Sequence, residues 1–159
     1  MADTNKDKNQ GRADRAAQIV RGHMLGSVAS CILPIPLLDA GILAAIHLRM
    51  ARKLAEVYEV EYDEQRANAI IGSLAGISVV SAVTTFFKKL PGVGQAMFGI
   101  GALTVPPATT YALGQVFIKH FESGGTFLTF DANRAKKDYD EKVKEGKQVV
   151  NQNFAGVKP

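Results

Sequence analysis

The sequence predicts an all-α fold, a helical bundle with a central hydrophobic helical hairpin and a C-terminal amphipathic helix. Three observations carry this. Apolar residues recur at helical spacing over most of the chain. No charged residue occurs from Ala67 to Phe87, nor again from Leu90 to Ile118. After Asp131, Lys, Asp and Glu surround a single apolar stripe.

Residues 1–12 (MADTNKDKNQGR) hold too little apolar surface to offset the entropy of ordering and are expected to form a disordered polar arm. The helical domain is expected over 13–122. From Asp14, the spacing of Ala16, Val20, Met24 and Val28 predicts one buried helix face, ended near Ile32 by the Pro34-Ile35-Pro36 step. A second helix starts just after Pro36. Its first half is apolar nearly all round; its second half carries a stripe of Ile46, Met50, Leu54 and Val57 against a wet face of Arg49, Arg52, Lys53, Glu56 and Glu59. Asp63 and Glu64 precede the third helix, where the helix dipole favours negative charge. The uncharged hairpin spans 67–118, with Lys88-Lys89 and the Pro91-Gly92-Val93-Gly94 turn at its tip and Pro106-Pro107 interrupting its second arm. Residues 123–159 are expected to hold a Ser123-Gly124-Gly125 turn, a short extended piece over 126–130, and a last helix N-capped by Asp131, followed by a tail. That helix presents Tyr139, Val143, Gly146 and Val150 on one face.

Composition bounds the function classes. A chain of 159 residues makes one domain. The net charge of +4 comes from basic residues interleaved with acids, with no aromatic-punctuated basic patch, so a nucleic-acid partner is not expected. The single cysteine, Cys31, lies in an apolar run and has no partner for an intramolecular disulfide. The polar N-terminus has no signal-peptide pattern, which predicts a cytoplasmic protein or one on the cytoplasmic face of the inner membrane. The absence of Trp counts slightly against a membrane, since interfacial belts use Trp and Tyr.

No catalytic set can be assembled. Gly92-x-Gly94 lacks the third glycine of a dinucleotide fingerprint, and no Walker A loop is present. His23, His47 and His120 lack the i, i+4 spacing of a helical metal pair, so neither a metal nor a cofactor is expected. Asp39, a carboxylate in an apolar stretch, must be capped, paired or functional. Three readings stand: capping N–H groups in the first turn of the second helix, pairing with Arg49 or Arg21, or relaying protons.

Gly22-x-x-x-Gly26 and Gly72-x-x-x-Gly76 have the spacing that lets helix backbones approach closely. Ala69, Gly72, Ser73 and Gly76 share a side of the third helix and form the expected self-association face. The length of the uncharged runs and the charges bracketing them favour lipid. The hydroxyls of Ser73, Ser78, Ser81, Thr84 and Thr85, together with the proline pair, favour a protein core.

The run Leu33-Pro34-Ile35-Pro36-Leu37-Leu38-Asp39, then His47-Leu48-Arg49-Met50, Leu54-Ala55-Glu56-Val57-Tyr58, Leu90-Pro91-Gly92-Val93-Gly94, Thr109-Thr110-Tyr111-Ala112-Leu113-Gly114 and Phe121 resembles the YcjF-related family of unknown function. The resemblance runs from about Ala16 to Asp131 and rests on Pro34, Pro36, Asp39, Pro91, Gly92, Gly94, Tyr111 and Gly114. It implies a helical protein without enzymatic activity, often a membrane protein, and often fused to or encoded beside a GTPase. This chain has no GTPase domain, so such a partner would be a separate protein. The expectation is a non-catalytic, membrane-associated or self-assembling adaptor or scaffold. The alternatives are a soluble homo-oligomer with the hairpin as its core and, third, a membrane-inserting pore-like protein.

Overall fold

The computed structural model describes residues 2–29, 36–76 and 100–154, with side chains described over 7–28, 41–75 and 104–152. The fold is an all-α bundle of five helices: α1 (Ala2–Ala29), α2 (Pro36–Tyr58), α3 (Glu64–Ile71), α4 (Ile100–Glu122) and α5 (Ala132–Phe154). A single π-helical turn, Gly72–Gly76, continues α3.

At the centre lies α4. It packs against α1, α2, α5 and the π turn, and Ala108, Thr109, Thr110, Ala112, Leu113, Val116, Phe117 and Phe121 are all buried, so protein covers it on nearly every side. Over 104–118 the uncharged run is therefore uncharged because it fills the core of this chain. Among the described residues no helix is long and apolar enough to cross a membrane.

Two glycines set how closely α4 is wrapped. A Cβ on Gly114 would overlap the Val20 side chain of α1, and a Cβ on Gly146 of α5 would lie 2.9 Å from the Ala108 carbonyl oxygen. The α5 face works as its periodicity predicts: Tyr139, Gly146 and Val150 are buried and Val143 packs on the core. Its wet side carries the pairs Lys136 with Asp140 and Lys142 with Glu145, while Lys119 of α4 pairs with Asp138. Such exposed pairs stabilise little. The Tyr139 hydroxyl is buried with no hydrogen-bond partner among the described residues, a desolvation cost on the order of 1–3 kcal/mol that the ring's burial offsets.

Elsewhere the boundaries shift. Residues 2–12, expected as a disordered arm, form the first turns of α1. Once the buried Ala16, Val20 and Met24 hold the helix, extending it costs little, because each added residue gains a hydrogen bond without a new nucleus. On α2 the wet face is as expected, but the buried stripe is His47, Met50, Ala51, Leu54, Ala55 and Tyr58, with Ile46 and Val57 only partly covered. The helix is rotated by one residue so that Tyr58 reaches the aromatic cluster at the end of α4. There Phe117 stacks on Phe121 at 5.7 Å, and Phe127 meets Phe121 edge-on at 5.3 Å. Residues 126–130, expected as extended, form a turn closed by Thr129 N–H to Thr126 O at 3.2 Å, which lets Phe127 bury while Leu128 stays exposed. The Ser123-Gly124-Gly125 turn is present, with Gly124 at φ +82° supplying the left-handed residue that ends α4. Asp63 and Asp131 cap α3 and α5 by accepting backbone N–H groups of Arg66 and Asn133.

Pro106 and Pro107 do not break the second arm; α4 runs through both. Just after the pair, the hydroxyls of Thr109 and Thr110 both donate to the Pro106 carbonyl, at 2.9 and 2.8 Å. Because Val20 sits against the Gly114 backbone with no room for a methyl group, Gly114→Ala is expected to destabilise the chain by about 2 kcal/mol. Urea unfolding followed by circular dichroism reads this, and an unchanged midpoint would contradict the packing.

Candidate functional site

The positions singled out in the sequence do not converge on one site. Gly114 and Tyr111 lie on α4 inside the bundle, Gly114 at the α1 crossing and Tyr111 towards α5, where its hydroxyl donates to Glu145 Oε1 at 2.6 Å. Burial and that carboxylate push the Tyr111 hydroxyl up to about 12. Lys142 and the Tyr111 hydroxyl hold Glu145 below the usual carboxylate range. Pro36 opens α2, the position in a helix where proline costs no hydrogen bond. Asp39 follows in the first turn of the same helix, and its side chain lies outside the described residues. So do Pro34, Pro91, Gly92 and Gly94, as well as the hairpin tip.

The histidines serve the fold. His23 shares a hydrogen bond with the Ile19 carbonyl at 2.7 Å, and His120 with the Thr126 carbonyl at 2.9 Å. His47, buried on α2, meets Thr110 Oγ1 at 3.0 Å. Thr110 has one hydroxyl proton and gives it to Pro106, so its oxygen accepts from His47 Nε2–H, which sets the imidazole tautomer. This chain from His47 through Thr110 to Pro106 ties α2 to the proline step of α4. Its parts are sixty-three positions apart, and no local pattern links them. Among the described residues no group of three or more His, Cys, Asp or Glu side chains could hold a metal ion.

The most open feature is one side of α3. Ala67, Ile70, Ile71, Leu74 and Ala75 are buried, whereas Ala69, Gly72 and Ser73 are exposed. The π turn, wider by one residue than an α turn, lets Leu74 and Ala75 follow one another into the core. Gly72 has an ordinary right-handed conformation (φ −59°, ψ −40°), and nothing lies within 4 Å of where its Cβ would be. Neither backbone geometry nor packing among the described residues requires glycine there. Ser73 turns its hydroxyl back to the Ala69 carbonyl at 2.8 Å, leaving a low, polar-poor surface. Gly76 is described in its backbone only.

This chain belongs to the family described as a domain of unknown function (DUF697), whose pattern matches residues 2–148. It is also similar to magnetosome membrane protein 22 of Magnetospirillum gryphiswaldense strain MSR-1, with 34% identity over 145 residues covering 88% of this chain and 74% of that protein. No solved structure matches it.

Burial, and secondarily the nearby His23, lower the His47 imidazole from 6.5 to about 4. The unfolded chain therefore takes up this proton first. Stability from the neutral ring is complete above about pH 6.5 and is lost as pH falls towards 4, on the order of 3 kcal/mol in all. Thermal unfolding across this range should show the loss, and His47→Gln should flatten it; an equally steep profile in the variant would assign the dependence elsewhere.

Proposed function

We propose that this protein is a non-catalytic, membrane-associated adaptor or scaffold that self-associates through the α3 face of Ala69, Gly72, Ser73 and Gly76. The observation that carries the reading is the pairing of two features on one stretch of chain. The exposed face has a glycine that nothing among the described residues requires, and it leads directly into the uncharged residues 77–87. Small residues of this kind let helix backbones of two copies approach closely, in a bilayer or at its surface. Relatedness to a magnetosome membrane protein supports the membrane part.

With α4 already enclosed by its own chain over 104–121, that part of the uncharged run is not what would meet lipid. A cytoplasmic-facing arrangement and a separately encoded GTPase as effector are the finer parts of the proposal, drawn from the likeness of the proline, glycine and tyrosine motifs to the YcjF-related family. The soluble homo-oligomer is the second reading, favoured by the lack of a membrane-spanning helix among the described residues.

Fractionation of native cells followed by an alkaline carbonate wash separates the two, with retention in the washed membranes expected. Recovery as a large, detergent-free species would favour the oligomer. Gly72→Ile with Gly76→Ile should weaken self-association at least tenfold in sedimentation, and an unchanged oligomeric state would remove this face.

A further inference from the structure

Among the described residues a groove lies on the side of α1 and α2 away from α4. Its volume is about 940 Å³. The two helices run antiparallel, since the Arg12 guanidinium sits 5.9 Å from the Tyr58 ring at one end and Gly26 faces Ile42 across the groove at the other.

The lining is divided. Arg15, Arg49 and Lys53 gather at the end near the α2 C-terminus, while Gly22, Gly26 and Ile46 belong to a stretch without charge. No carboxylate among the described residues lines it. Among the described residues these three cations form no ion pair, whereas Arg52, Arg66, Lys119, Arg134, Lys136 and Lys142 all do.

Gly22 and Gly26 sharpen the point. Each sits inside a helix, where glycine is less favourable than alanine by about 1 kcal/mol. Neither would bring a Cβ within 4 Å of anything, in contrast to Gly114 and Gly146. Their absent side chains deepen a groove that the described residues do not fill.

We propose that this groove binds one anionic phospholipid per protomer, with the phosphate on Arg15, Arg49 and Lys53 and an acyl chain along Gly22, Gly26 and Ile46. The distance from Arg15 to Gly26 is about 16 Å at the α-helical rise, enough to lay most of an acyl chain beside the glycines. Charge complementarity selects an anion, and the placement of charge selects an amphiphile. An acidic partner helix would meet cations spaced along its length, whereas here they cluster at one end with apolar surface beyond. The inference rests on the membrane-associated reading and names the lipid chemistry that the protein would recognise.

The test is native mass spectrometry of the full chain after incubation with vesicles of equal parts palmitoyl-oleoyl phosphatidylglycerol and phosphatidylcholine. One phosphatidylglycerol retained per protomer is expected. Gly22→Leu with Gly26→Leu should abolish retention, and Gln at Arg15, Arg49 and Lys53 should weaken it at least tenfold while leaving the unfolding midpoint in place. Gly22→Ala with Gly26→Ala, which relieves the glycine cost without filling the groove, is the folding control and should keep the lipid.

Retention untouched by the leucine pair, or equal for both lipids and insensitive to the glutamines, would overturn the assignment. So would loss of an oligomer in the leucine pair with lipid unchanged, which would give the groove to a second copy of the chain. Co-sedimentation with the same vesicles reads the membrane question apart. A wild type that sediments but carries no lipid overturns the groove assignment alone. One that stays in the supernatant yet carries a phosphatidylglycerol supports the groove and removes the membrane reading.

Discussion

The structure depends on the enclosure of α4. A helix with no charge before Lys119 and with the buried Ala108, Thr109 and Phe117 on different sides must be covered over most of its surface, and three helices share the task. They can do so only by coming close, and Gly114 and Gly146 are where α1 and α5 come closest. Small residues at crossings trade side-chain burial for backbone proximity, which lets two polar-faced helices seal a third. The amphipathic character of α1 and α5 follows from that duty, each showing one face to α4 and the other to water.

The proline pair imposes a second condition. Two adjacent prolines inside a helix remove two donors and crowd the preceding turn, yet α4 stays continuous. The hydroxyls of Thr109 and Thr110 converge on the Pro106 carbonyl, and His47 reaches in from α2 to complete the set. A buried polar cluster of this kind is tolerable only when its members are satisfied, which is why a histidine stands in an otherwise apolar stripe.

Much of the fold was legible in the sequence because it is periodic. The α5 face at Tyr139, Gly146 and Val150, the caps at Asp63 and Asp131, and the left-handed turn at Gly124 all follow from local rules. What was not legible depended on distant partners. The one-residue rotation of α2 is decided by Tyr58 meeting Phe121 at 6.0 Å, and the place of His47 in the buried stripe by its bond to Thr110 on another helix. The same limit hid which glycines matter inside the chain. Gly22, Gly26 and Gly72 look like Gly114 in sequence, yet of these four Gly114 alone has a neighbour among the described residues where a side chain would go. The shared side of Ala69, Gly72 and Ser73 on α3 was legible from spacing, but the α1–α2 groove, whose cations form no ion pair among the described residues, appears only when the two helices are set antiparallel.

An uncharged run that fills its own protein's core makes a different protein from one that waits for lipid, and hydrogen exchange of the detergent-free protein separates the two most directly. With α4 enclosed by α1, α2 and α5, the amides from Ala108 to Phe121 should be among the slowest in the chain and should stay so when vesicles are added. Fast exchange there in water, becoming slow only on vesicles, would contradict the account and return α4 to the bilayer.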